Sequence, residues 1–253
     1  MLMFRCLIAT VLMLCFNLQA VANATYKFVT ATEDNPKLAI IIDDIGYNIP
    51  LGQRTVDLKG NITLAVLPKT PGAKLLAEAG FKAGKEIMLH APMSTYNDFK
   101  LGPGALTLDM DKQQFQQVLK ESIQSIPHIR GVNNHMGSEL TTHNKQMQWV
   151  METIAPHQLY FIDSLTNGRS VAFRTAKKHG ITAQKRDVFL DNVQNEQAIE
   201  KRFFELLSKA QDNGYAIGIG HPYPETLNVL ERLLPVLEKE NIELVHVSKL
   251  LNM

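Results

Sequence analysis

Cysteine is almost missing: the 253 residues hold two, Cys6 and Cys15, both inside the first apolar stretch. A disulfide framework is thereby excluded for the rest of the chain, which must be held by its core. An excess of one charge is missing too. With 26 Lys+Arg against 25 Asp+Glu, no global basic field recruits nucleic acid and no acidic tail solvates a segment. No repeat at a fixed period and no long tract of biased composition is present, which excludes solenoid, collagen and coiled coil. Nor is there a set of apolar runs of the ~20 residues that polytopic membrane proteins need. What is there is ordinary globular composition, 45% hydrophobic and 20% charged. The length suits one large α/β domain or two small ones.

The first 24 residues read as an address. Arg5 is the only charged residue before Lys27, and it precedes an apolar run from Cys6 to Leu18 and an Ala22-Asn23-Ala24 ending. This is the pattern of a cleavable secretory signal, removed after Ala24; an uncleaved anchor is the competing reading. The expected organisation is a signal over 1–24, a short segment over 25–36 and one catalytic domain over 37–253, exported to the periplasm.

Beyond that segment, strand and helix patterns alternate. Apolar, β-rich runs occur at Leu38 to Asp43, Ile62 to Leu67, Glu86 to His90 and Gly131 to His135, then at Leu159 to Asp163, Asp187 to Leu190, Tyr215 to His221 and Ile242 to Val247. Helical spacing marks Asp111 to Ile126, Glu196 to Ala210 and Glu225 to Glu240, the last punctuated by Pro235. Continuous apolar strands alternating with helices imply a parallel sheet covered by helices. The expectation is a distorted or incomplete (β/α) barrel of about seven to eight parallel strands. The stretch from Ala91 to Leu108 reads as a loop at the barrel mouth.

Five of these eight strands end in residues that an apolar core would not select: Asp43-Asp44, His90, His135, Asp163 and His221. A single strand-end Asp is more often a helix cap, and a lone His more often a packing residue. In a parallel β/α fold, however, the C-terminal strand ends converge on one face. One oxygen donor with two imidazoles and an open position is the ligand set of a catalytic zinc. A carboxylate beside it that does not ligate can serve as base.

The fragments IIDDIGYN from Ile41, EIMLHAPM from Glu86, GVNNHMGSELT from Gly131, YFIDSLT from Tyr160, RDVFLDN from Arg186 and AIGIGHPYPETL from Ala216 resemble the polysaccharide deacetylases of carbohydrate esterase family 4, specifically their divergent bacterial branch. The resemblance extends from about Lys37 to the C-terminus. It implies a deacetylase-like barrel, one divalent metal, usually Zn2+, and hydrolysis of an N-acetyl group on an amino sugar. Carried over, it makes Asp43 the general base, Asp44, His90 and His135 the metal ligands, His221 the general acid and Asp163 the carboxylate that orients that acid. The chain departs from the mainstream pattern at Ser94, where a second histidine is usual, at Pro222 after the acid histidine, and in having no Arg-x-Pro-Tyr motif.

Asn133 and Asn134 are candidate contacts for sugar hydroxyls. Arg186 is a candidate cation balancing the site's carboxylates, with surface pairing to Asp187 as the alternative. The expected partner is a cell-envelope glycan, with no nucleic acid and no stable membrane insertion once the signal is cleaved. Two other readings remain open: a glycan- or partner-binding protein on the same fold, and a metal-dependent hydrolase of another amide or an ester.

Overall fold

The computed structural model describes residues 35–97, 99–237 and 239–251; the expected signal segment, and residues 25–34 after it, lie outside them. In chain order the elements are β1 (Lys37–Ile45), α1 (Ile49–Asp57), β2 (Ile62–Val66), α2 (Ala73–Lys82), β3 (Glu86–Met93), α3 (Lys112–Ser125), β4 (Ile129–Met136), α4 (Asn144–Ile154), β5 (Tyr160–Asp163), α5 (Ala172–Lys178), β6 (Ala183–Lys185), β7 (Val188–Phe189), α6 (Glu196–Asn213), β8 (Tyr215–Gly220), α7 (Pro224–Leu233), β9 (Glu243–Leu244) and α8 (Val247–Leu251). The strand pairs are all parallel. Their order is β6-β5-β4-β3-β2-β1-β8-β7, with β9 beside the start of β1. The sheet is a curled, incomplete (β/α) barrel whose order ends at β6 on one side and β7 on the other.

Three of the helices start where a side chain caps them. Asn48, Asp111 and Asn195 each accept a backbone N–H of the first turn of α1, α3 and α6, satisfying a donor that has no partner within the helix. Pro235 falls in a 3-10 turn that follows α7. The last expected strand shrinks to Glu243–Leu244, and Val247 instead opens α8. One strand escapes sequence reading altogether: β6 is three residues, Ala-Gln-Lys, too short and polar to show a period.

Alternation along each strand divides the core in two. Leu38, Ile40 and Ile42 of β1, Ile87 and Leu89 of β3, Val132 of β4 and Phe161 of β5 face the helices. Ala39, Ile41, Ala65, Met88, Tyr160, Ile162, Ile217 and Ile219 face inward and fill the bore. Val247 and Leu250 of α8 close its lower end. There the buried Glu86 carboxylate accepts from Tyr160 Oη (2.9 Å), Thr63 Oγ1 (3.0 Å) and the Ser248 backbone N–H (3.2 Å). The Tyr160 ring reaches Glu86 across Gly131, where an added Cβ would meet the ring at 2.2 Å. The bore is therefore solid below, and its open end is the face where the strands terminate.

Candidate active site

Inward parity carries Asp43 (after Ala39 and Ile41), His90 (after Met88) and His221 (after Ile217 and Ile219) to the mouth of the bore. On β4 the same face holds Gly131, Asn133 and His135, with Asn133 in register with His90. Asp44 follows Asp43 directly and by simple alternation would point away. The backbone solves this. Between Ile42 and Ile45 β1 has one residue more than β2, and Asp44 sits at φ +59°, so a bulge turns both carboxylates toward the site. A left-handed non-glycine residue is uncommon and costs conformational energy.

Asp44 Oδ1 lies 2.8 Å from His135 Nδ1 and 3.2 Å from His90 Nε2, and the two ring nitrogens are 3.1 Å apart. This oxygen is buried and has no hydrogen-bond partner of acceptable geometry. Among the described residues, these three form the one group of acidic, His or Cys side chains converging tightly enough to hold an ion. The electrostatics agree. Burial alone would raise the Asp44 carboxyl, but the imidazoles of His135 and His90 outweigh it and hold it well below the usual range. Burial works against charge on His90, yet Asp43 and Asp44 push its pKa up. The pocket thus favours positive charge between its carboxylates, and the one-oxygen, two-nitrogen donor set fits a divalent ion such as zinc.

Asp43 is 2% exposed and is not part of that convergence. Its Oδ1 accepts from Asn133 Nδ2 at 2.8 Å, and its Oδ2 lies 3.6 Å from His90 Nε2. Burial pushes its carboxyl above the ordinary range, against the pull of His90, His221 and Asn133. His221 follows β8, the strand beside β1, with Nε2 3.9 Å from Asp44 Oδ2. Phe189 and Tyr223 flank the ring, each with a centroid at 5.3 Å.

Residues 40–251 match the family described as divergent polysaccharide deacetylase. The chain belongs to that family. An uncharacterized protein of Escherichia coli K12, YibQ, is 37% identical over 216 residues, covering 85% of this chain and 67% of YibQ. In fold the chain is similar to an uncharacterized protein of Agrobacterium tumefaciens C58 (TM-score 0.83, 23% identity, 87% of this chain and 91% of that one). It is also similar in fold to the peptidoglycan deacetylase PdaC of Bacillus subtilis (TM-score 0.54, 14% identity, 87% and 92%).

Within this deacetylase-family barrel, three sequence expectations need correction, those for Asp163, Asn133 and Asn134. Asp163 does not orient His221. It alternates with Ile162 and so points outward with Phe161, where Ser170 Oγ (2.7 Å) and the Leu165 and Phe173 N–H groups hold it. The carboxylate on His221 is Asp191, which accepts from Nδ1 at 3.0 Å and from the His221 backbone N–H at 2.6 Å. Gly220 lets it approach, since a Cβ there would meet Asp191 Oδ2 at 3.2 Å. The signal for Asp191 was in RDVFLDN: Val188 and Leu190 face the helices, so Phe189 and Asp191 face the bore.

Asn133 and Asn134 are not available to sugar hydroxyls, being 0% and 1% exposed. Asn134 gives its amide to Met136 O and accepts the Ser164 N–H, which ties β4 to the segment after β5. Arg186 is half-buried; it makes no direct salt bridge to Asp187, and its charge is felt by the Asp163, Asp43 and Asp187 carboxylates, as expected of a balancing cation. Its Nε and one terminal nitrogen donate to Ser164 O (2.8 Å) and Leu165 O (3.1 Å), and its guanidinium lies 4.8 Å from the Phe189 ring. It braces the loop behind the site.

Proposed function

We propose that this chain is an exported, zinc-dependent hydrolase that removes N-acetyl groups from an amino-sugar polysaccharide of the cell envelope. The observation that carries the reading is a division of labour: Asp44, His90 and His135 converge, while Asp43 and His221 stand beside them with other partners. When bound, a divalent ion supplies Lewis acidity, polarising an amide carbonyl and acidifying water. Asp43 has Oδ1 committed to Asn133, so Oδ2 is the atom free to accept a proton as water attacks. His221 has Nδ1 committed to Asp191, so Nε2 carries the proton that the departing amine needs. A base and an acid beside an ion site are the requirements of amide hydrolysis. The fold shared with a peptidoglycan deacetylase and the family membership support a glycan amide over other amides and esters. The signal-like start supports delivery to the periplasm.

The test is acetate release. Purified protein with zinc is incubated with N-acetylated glycans, peptidoglycan and chitooligosaccharides among them, beside the Asp43→Asn variant. Acetate from wild type and almost none from Asp43→Asn supports the reading. Binding of a glycan by both without acetate from either would replace it with the glycan-binding reading.

A further inference from the structure

Asn133 makes two hydrogen bonds at the site, one to His90 and one to Asp43. It is completely buried on β4. Its Oδ1 accepts from His90 Nδ1 at 2.7 Å, and its Nδ2 donates to Asp43 Oδ1 at 2.8 Å. The two ends of the amide cannot be exchanged. Asp43, when ionised, is acceptor-only, so it must face the amide NH2, and the oxygen must then face His90. An oxygen there requires His90 Nδ1 to carry the hydrogen. The His90 lone pair is thereby placed on Nε2, the atom that points at Asp44 Oδ1 and His135 Nδ1.

The same amide acts on Asp43 in the opposite sense. Two adjacent carboxylates are turned toward one ion pocket, and both carry oxygens within 3.6 Å of His90 Nε2. Only Asp43 is held by a hydrogen bond drawing an oxygen away from the pocket. We propose that Asn133 is a positioning residue that decides which groups ligate: it makes His90 a ligand through its tautomer, and it keeps Asp43 off the ion and free as a base. The proposal rests on the ion site described above. Partners of ligating histidines commonly change metal affinity by about 10–100-fold when removed.

Two substitutions separate the two bonds. Asn133→Leu is close in size and has neither. Asn133→Asp can still accept from His90 Nδ1 but has no NH2 to give Asp43. The full chain, stripped of metal by a chelator, is titrated with Zn2+ for affinity and with Co2+, whose visible spectrum reports ligand number and geometry. Asn133→Leu is expected to lose about 10–100-fold in Zn2+ affinity and to change the Co2+ spectrum as Asp43 is released toward the ion. Asn133→Asp is expected to keep Zn2+ affinity within a few-fold and yet lose acetate release by about 10²-fold or more. If Asn133→Leu does not fold, as melting will report, Asn133→Ser lacks both bonds in a smaller side chain and carries the same comparison. Wild-type Zn2+ affinity together with a wild-type Co2+ spectrum in the variant lacking both bonds overturns the proposal. A wild-type chain that takes up no Zn2+ overturns the ion site itself, and this proposal with it.

Discussion

His221 and Asp191 are joined twice, through both carboxylate oxygens: Oδ1 accepts from the His221 ring at 3.0 Å and Oδ2 from its backbone N–H at 2.6 Å. Thr226 Oγ1 adds a third bond, at 2.8 Å to Oδ2. The pair has a pH signature. Burial opposes charge on His221, but Asp191, with Asp43 and Asp44 behind it, outweighs it, and the ring is pushed up to about 9. In the unfolded chain it titrates near its ordinary value, ~6.5. Because the folded value is the higher, the stabilisation from this pair is complete below about pH 6.5 and is lost as pH rises through about 9. Asp191→Asn should therefore destabilise the metal-free chain more at pH 6 than at pH 9.5 in urea denaturation. An equal loss at both pH values would mean that Asp191 acts only as a backbone cap.

Removing a ligand should empty the ion site. Asp44→Ala, His90→Ala and His135→Ala are each expected to leave bound zinc well below one equivalent by elemental analysis, since such sites seldom survive the loss of one of three ligands. His143 is the control. It bonds to Glu139 O and Thr142 Oγ1 outside the convergence, and His143→Ala should keep full zinc. Full occupancy in His135→Ala would sink the triad.

Asp43→Asn tests the base. It preserves shape and removes the proton acceptor, so zinc content and melting should stay near wild type while turnover falls by roughly 10²–10⁴-fold. Loss of zinc in this variant would make Asp43 a ligand instead.

At the other end of the barrel, Glu86 serves stability. Glu86→Ala removes the acceptor for Tyr160, Thr63 and the start of α8, leaving buried donors unpaired. The expected cost is about 2–4 kcal/mol, read as a lower denaturation midpoint with zinc binding unchanged. A midpoint equal to wild type would show that water or a rotamer change replaces the carboxylate.

Export predicts a new N-terminus. Protein recovered from the periplasm of the producing cell should begin near Thr25, by N-terminal sequencing or intact mass. Recovery with Met1 in the membrane fraction would favour the anchor.

The sequence by itself determined the parallel β/α order, because unbroken apolar strands alternating with helices admit few other packings. It also determined that Asp43, His90, His135 and His221 meet, because a parallel barrel gathers its strand ends. Tertiary structure alone decided how the neighbours divide the work. Nothing in Asp-Asp announces the bulge that turns both residues inward. Nothing in Asn-Asn-His shows that the first amide, Asn133, is buried and bridges His90 and Asp43. Asp163 and Asp191 both follow strand patterns, but β7 pairs with β8, whereas β4, β3, β2 and β1 separate β5 from it. Which carboxylate reaches His221 is therefore a matter of strand order and of the face on which each chain turn ends. These are long-range properties, set by pairings between segments far apart in the chain, and local residue patterns do not encode them.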